Sequence, residues 1–114
     1  MPYVSVRSSQ HIDDDKAERL QKEIGRIMSV IPGKNIDNTM IQIMGDVRTF
    51  MSGKPVNATA CELRLLGKAP KEKKKEFVGE MSRVITAELG ELHQLYINIQ
   101  EFAEWGTGAT YKEV

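Results

Sequence analysis

Polar and apolar residues alternate at the start of the chain, and this period of two predicts a half-buried strand over residues 3–8. Val4 and Val6 lie on one side of that strand, and Ser5 and Arg7 lie on the other. Since apolar side chains prefer the interior, we expect the two valines to face the core.

A period of three to four residues follows, which is typical of an amphipathic helix. Asp13 and Asp14 are expected to open this helix, because acidic groups favour the positive end of the helix dipole. The pair Pro32-Gly33 is expected to end it. The predicted core-facing stripe consists of Ala17, Leu20, Ile24, Ile27, Met28 and Ile31.

Three further segments have the composition of strands, at residues 39–44, 58–66 and 95–102. Residues 45–57 contain Gly, Ser, Lys and Pro, and therefore predict an exposed hairpin or loop. The tail after Trp105 predicts a turn followed by a short edge strand.

A second helical pattern lies between the third and fourth strands. Pro70 suits the first turn of this helix, and Gly90 suits its end. Its stripe consists of Phe77, Met81, Val84, Ile85 and Leu89.

The order strand–helix–strand therefore occurs twice. Gly33 and the triplet Ile41-Gln42-Ile43 have counterparts half a chain length later, in Gly90 and Ile97-Asn98-Ile99. A duplicated β-α-β unit predicts an α+β fold, with a four-stranded mixed sheet and two helices on one face, because crossover connections share one hand. The other sheet face would lack a cover, so we expect an oligomer.

The chain has 114 residues, which suits one domain over residues 1–114, and its formal net charge is zero. This charge argues against nucleic acid or an acidic membrane surface as a partner. Cys61 is the only cysteine, and the two histidines, His11 and His93, are far apart, so no metal site is expected. The start of the chain lacks the apolar core of a signal peptide, and no apolar run is long enough to span a membrane. We expect a cytoplasmic protein.

Pro2 is the first candidate for chemistry. Initiator methionine is normally removed before a small residue, and loss of Met1 would leave Pro2 with a secondary amine. An ordinary α-amino group titrates at about 7.7–8.0, and an apolar pocket lowers that value. A neutral amine can take a proton from carbon beside a carbonyl. The alternative is that proline is simply a common second residue, but the strand beginning at Tyr3 favours a fixed terminus.

Three other side chains each have two interpretations. Lys34 follows the first helix, where it either binds a substrate carboxylate or is a solvated cation near a helix C-terminus. Tyr96 and Asn98 lie on one side of the fourth strand, opposite its isoleucines. They either line a pocket or form hydrogen bonds at an interface. Arg64 either points into a site, favouring dicarboxylates, or points to solvent.

Taken together, these features resemble the tautomerase superfamily, within its macrophage migration inhibitory factor (MIF)-like branch. The resemblance covers essentially the full length. It rests on Met1-Pro2 before a strand, Gly33-Lys34 after the first helix, Leu65-Leu66-Gly67-Lys68 after the third strand, Tyr96-Ile97-Asn98 on the fourth, and Trp105-Gly106 in the tail.

The resemblance implies a homotrimer whose sheets form a barrel, with active sites between subunits. It implies keto–enol tautomerisation of a 2-keto acid such as phenylpyruvate, with no cofactor. Pro2 would be the catalytic base, and Lys34 and the backbone N–H of Leu66 would bind the carboxylate. Tyr96 and Asn98 would reach in from the neighbouring subunit, and Trp105 would form a pocket wall.

Two other functions are compatible with the same fold. A cytokine-like or host-directed protein would retain a vestigial pocket, contact a receptor and leave the cell without a leader. Hydration, dehalogenation or decarboxylation would use the same proline with added arginines or an acidic residue. Residues 65–70 contain no arginine pair, which argues against this second group.

Overall fold

The computed structural model describes residues 2–114. Two short 3-10 turns, Met28–Val30 and Ile36–Asn38, lie between the first helix and the second strand. In chain order, the strands and helices are β1 (Pro2–Ser8), α1 (Asp14–Ile27), β2 (Met40–Met44), β3 (Phe50–Met51), β4 (Lys54–Pro55), β5 (Ala58–Leu66), α2 (Lys71–Leu89), β6 (Gln94–Phe102), β7 (Glu104–Thr107) and β8 (Thr110–Glu113).

The main sheet confirms the predicted duplication. Its strand order is β2-β1-β5-β6. The pairs β1–β2 and β5–β6 are parallel, as a β-α-β unit requires, and the central pair β1–β5 is antiparallel. The two units therefore join through their first strands, which places β1 and β5 in the middle of the sheet.

Both helices pack on one face of the sheet and against each other, as predicted. Every second residue of the central strands enters this layer, and the apolar stripes of the helices cover it. Cys61 belongs to this core. The largest fully buried side chains are Phe77, Leu20, Ile24, Ile27, Met28, Ile31, Leu63, Leu65, Met81, Ile85, Val4 and Val6.

Hydrogen bonds from neighbouring residues fix the start of each helix. The Asp13 carboxylate accepts a hydrogen bond of 2.8 Å from the Lys16 N–H, which satisfies one otherwise unpaired donor of α1. Pro70 differs slightly from the prediction, since it precedes α2 as its N-cap and does not lie in the first turn. Its carbonyl oxygen accepts from the Lys73 N–H at 3.0 Å.

The sheet face opposite the helices carries several polar side chains. On β6, Tyr96 and Asn98 are exposed there while Ile97 and Ile99 pack under the helices. The Tyr3 hydroxyl donates to Gln42 on β2 at 2.5 Å. Met40 and Met44 of β2 are exposed on this same face, which therefore combines polar and apolar surface, and the expected oligomer stays a prediction.

Two hairpins extend from this frame. The predicted loop over residues 45–57 contains the short pair β3–β4. It is tied to the end of β1 by the Val47 N–H, which donates to the Ser8 carbonyl oxygen at 2.9 Å, and to the segment after β1 by the Asp46 N–H, which donates to the Gln10 carbonyl oxygen at 2.8 Å. A side chain at Gly45 would place its Cβ 2.7 Å from that same oxygen, so the close approach requires glycine. The tail forms two paired strands, β7 and β8, where one strand was predicted.

Candidate active site

A cavity of about 130 Å³ lies where β5 leaves the sheet, beside the turn that follows α1. Two of the predicted binding residues, Lys34 and Leu66, line it together. The full lining consists of Ile31, Pro32, Lys34, Leu65, Leu66, Gly67, Lys68, Ala69 and Pro70.

A tight turn places Lys34 at this cavity. Gly33 has a φ of +78°, a conformation that favours glycine, and the Lys34 N–H donates to the Ile31 carbonyl oxygen at 3.0 Å. Within residues 2–114, no acidic side chain forms an ion pair with the Lys34 ammonium. The cavity therefore has a cation available for an anionic ligand.

A second turn forms the opposite wall. Leu66 ends β5, and Gly67 then adopts a φ of +84° while its N–H donates to the Phe102 carbonyl oxygen at 2.7 Å. This bond fixes the chain at the point where it leaves the sheet. Residues 67–70, called the 67–70 segment below, then run along the cavity to the start of α2.

Pro2 is the first residue of β1 and is buried. It lies opposite Leu65 in the antiparallel pairing of β1 and β5, and Leu65 lines the cavity. The expected strand at the start of the chain is thus confirmed, beginning one residue earlier than predicted. Met1 lies outside the described residues, so its expected removal stays a prediction.

Tyr96 and Asn98 are not part of this cavity. Tyr96 pairs with Ala60 on β5, five residues before Leu65, which places it about 16 Å along the sheet at 3.3 Å per residue. It lines a separate, mostly apolar recess of about 200 Å³ together with Arg7 and Phe50. Tyr96 and Asn98 could therefore bind a ligand at the Lys34 cavity only from a second chain, as the resemblance implied.

Trp105 lies on β7 at the same end of the sheet as the cavity. Its ring packs edge-on against Phe102, with centroids 6.0 Å apart and an interplanar angle of 71°. Phe102 is in turn the Cα partner of Leu66. Trp105 itself does not line the cavity within one chain, so its predicted role as a pocket wall stays a prediction.

Solved structures identify this architecture. MIF2 from Leishmania major superposes with a TM-score of 0.87 at 22% identity, covering 98% of this chain and 97% of that chain. A MIF-like protein from Entamoeba histolytica gives 0.78 at 18%, covering 97% and 98%. A wild-type fused 4-OT, described as an asymmetric trimer, gives 0.84 at 16%, covering 95% and 94%. The chain has the MIF fold. No protein-family model and no curated protein matches it.

Two charged residues of this MIF fold lie at or near the cavity, and the sequence analysis assigned no role to either of them. Lys68 lines the cavity with Lys34, so two cations face one small space. Glu101 lies behind the wall, where its Oε2 accepts from the Ala69 N–H at 2.6 Å and its Oε1 accepts from Lys74 Nζ at 3.0 Å. These bonds, with the Ala69 bond the larger cause, lower the pKa of Glu101 below its usual value.

Arg64 lies on the open face of the sheet and not in the cavity. Its guanidinium pairs with Glu62 at 2.8 Å and lies 5.7 Å from the centre of the Tyr3 ring. Arg64 does not line the Lys34 cavity within one chain, so the interpretation in which it points into the site stays a prediction.

Other catalytic chemistry has little support. Burial raises the pKa of the Cys61 thiol to about 12, so it is not a nucleophile at neutral pH. Among residues 2–114, no cluster of three His, Cys, Asp or Glu side chains could hold a metal ion. None of the helices in this range is long and apolar enough to cross a membrane.

A larger concavity of about 590 Å³ lies at the other end of the sheet, between residues Ser9 and Gln10 after β1 and the β3–β4 hairpin. It is wide open to solvent, and none of the predicted site residues lines it. The smaller Lys34 cavity is therefore the better candidate for chemistry, since it gathers cations and a strand end at one place.

Proposed function

We propose that this protein is a cofactor-independent keto–enol tautomerase that acts on a 2-keto acid such as phenylpyruvate, with the Pro2 amine as general base. One observation carries the proposal. Lys34 and Leu66 line a single cavity, and Leu65 in its wall pairs directly with Pro2. A carboxylate site and a candidate base thus occupy the same end of the sheet.

The substrate carboxylate would bind to the Lys34 ammonium and the Leu66 backbone N–H. A hydrogen bond to a charged group contributes about 1.5–3 kcal/mol, so these donors can fix a small anion. In the described part of the chain, residues 2–114, no acidic side chain pairs with Lys34, which supports this role because the substrate would not have to displace one.

Proton transfer would then need only the Pro2 nitrogen, once Met1 has been removed. The neutral amine takes a proton from C3 of the substrate, and the electron pair of the C3–H bond moves to form the enolate. The 2-oxygen gains the negative charge, the protonated Pro2 nitrogen then gives the same proton to that oxygen, and release of the enol leaves the amine neutral again. Burial of Pro2 supports a neutral amine, because desolvation disfavours its charged form. Since the proton is only moved, no cofactor is consumed.

A homotrimer would complete the site. Tyr96 and Asn98 are exposed and distant from Pro2 within one chain, so a neighbouring chain would bring them to the 2-oxygen as hydrogen-bond donors. Trp105 would add an aromatic wall for the substrate ring. The fused 4-OT of similar fold is described as a trimer, which supports this assembly.

The deciding experiment uses untagged protein whose N-terminus has been measured by mass spectrometry. We expect Met1 to be absent and phenylpyruvate enolisation to be visible by ultraviolet absorbance. Pro2→Ala should lower kcat by about 10²–10⁴-fold, the usual value of general-base catalysis. A form that retains Met1 should be equally inactive, because its Pro2 nitrogen is a tertiary amide. Full activity in either form would refute the assignment of Pro2.

A further inference from the structure

We propose that Glu101 is a positioning residue that fixes the wall of the Lys34 cavity. All four residues of the 67–70 segment line this cavity, and the carboxylate of Glu101 holds the middle of the segment. The kinetic consequence rests on the proposed function, whereas the structural consequence does not.

The ends of the 67–70 segment are held by the backbone alone. At one end, the Gly67 N–H donates to the Phe102 carbonyl oxygen. At the other, the Pro70 carbonyl oxygen accepts from the N–H groups of Lys73 and Lys74 in α2. Between these points, the Ala69 N–H donates to the Glu101 side chain at 2.6 Å, which is short for a bond from an amide. One side chain therefore decides the path of the segment between its ends.

A second bond orients the carboxylate. Lys74, in the first turns of α2, donates from Nζ to the other oxygen of Glu101 at 3.0 Å. Both side chains are mostly shielded, with 22% of Glu101 and 28% of Lys74 exposed. Glu101 thus joins the end of β6, the 67–70 segment and α2 at one point, and these two bonds lower the pKa of its carboxyl.

The position of Glu101 excludes direct contact with a ligand in the cavity. It follows Leu95, Ile97 and Ile99 along the helix-packed side of β6, and it is not part of the cavity lining. Its influence must therefore pass through the segment that it holds. That segment carries Lys68 and begins directly after Leu66, whose N–H is the proposed carboxylate donor.

Enzyme kinetics with phenylpyruvate test this role. Glu101→Ala should raise KM about tenfold and change kcat less than about threefold, because Pro2 lies on β1 and not on the segment. Glu101→Gln keeps an oxygen acceptor for Ala69 and should recover much of the affinity. It also maintains the test if the alanine variant fails to fold. Lys74→Met should change KM less than threefold, since the Ala69 bond remains.

A matched control is available on the helix layer. Glu88 pairs with Arg19 at 2.7 Å, and its side chain is exposed to the same 22% as that of Glu101. Glu88→Ala therefore removes a similar ion pair away from the cavity and should leave KM unchanged. An equal rise of KM in the Glu88 variant would show a general loss of stability and overturn the proposal.

Amide hydrogen exchange measured by NMR supplies a readout that needs no turnover. Exchange at Ala69 should become at least about tenfold faster in Glu101→Ala and stay unchanged in Glu88→Ala. Unchanged exchange at Ala69 would overturn the positioning role whatever the kinetics. If the wild-type protein shows no turnover, the proposed function fails, and the exchange at Ala69 still decides the role of Glu101.

Discussion

Pro2 and Leu65 are direct partners across the two central strands of the sheet. This pairing buries the first residue of β1 and leaves it no freedom to fray, although chain starts are commonly mobile. It also places Pro2 beside a cavity wall, because Leu65 lines the Lys34 cavity. The proposed role of Pro2 benefits from such a buried position, because desolvation disfavours the charged form of an amine.

Lys34→Ala should raise KM for phenylpyruvate and leave kcat nearly unchanged, because it removes a charged donor from the carboxylate and not from the reacting carbon. We expect a rise of about 10–100-fold, the equivalent of 1.5–3 kcal/mol. Steady-state kinetics measure both constants. Lys54→Ala, an exposed lysine on the β3–β4 hairpin, is the control and should behave as the wild type. A large loss of kcat with constant KM would contradict carboxylate binding by Lys34.

Gly45→Ala and Gly79→Ala should change stability in opposite directions. A Cβ at Gly45 would lie 2.7 Å from the Gln10 carbonyl oxygen and 2.8 Å from the Ile12 nitrogen, both of which are backbone atoms. We expect a loss of about 1–3 kcal/mol. Gly79 is an exposed position inside α2 with open space around it, so alanine should add about 0.5–1 kcal/mol. Denaturant unfolding measures both, and a stable Gly45 variant would disprove the close approach.

Asp46→Asn should lower the pKa of His11, because the hydrogen bond to Asp46 is the largest cause of its raised value. The His11 Nδ1 to Asp46 Oδ2 distance is 2.9 Å. A raised pKa in the folded state means that the pair stabilises the protein fully below about pH 6.5, the unfolded value, and loses this effect as pH rises through the folded value. NMR titration of His11 gives the pKa. Unfolding at pH 5.5 and 8.5 should show a difference between wild type and variant only at the lower pH.

Cys61 should resist thiol reagents in the native protein. Burial raises its pKa to about 12, so almost no thiolate is present at pH 8, and the side chain is covered. We expect no reaction with Ellman's reagent until guanidinium chloride unfolds the chain. Ser29→Cys places a thiol at an exposed site and is the positive control. Rapid labelling of native Cys61 would show that the core opens.

The sequence predicts the four main strands and both helices because each has a clear period. It predicts the end of α1 at Pro32-Gly33, but α1 ends at Ile27 and a 3-10 turn, Met28–Val30, follows it. It does not predict the 3-10 turn Ile36–Asn38, which depends on reciprocal side-chain bonds between Asn35 and Asn38. It also misses β7, because Gly106 indicates a turn locally while pairing with β8 makes the segment a strand. In both cases, specific partners outweigh the local pattern.

The site is predicted in part for the same reason. Lys34 and Leu66 follow motifs at strand and helix ends, and the structure brings them to one cavity. Glu101 bonds to Ala69, 32 positions earlier, so its role depends on the register between β5 and β6. One signal was present in the sequence, since Glu101 continues the apolar row of β6 with a charge. The roles of Tyr96, Asn98 and Trp105 stay predictions, because they need a second chain.

The sheet has two open margins. Among residues 2–114, no strand pairs with the outer side of β2 or β6, and Met40 and Met44 are exposed on β2. Each margin is a template on which another polypeptide can add a strand. A chain emerging from denaturant is therefore at risk of pairing wrongly with other chains at these margins. We expect slow refolding at low protein concentration to yield soluble protein. Rapid refolding at high protein concentration should instead yield precipitate.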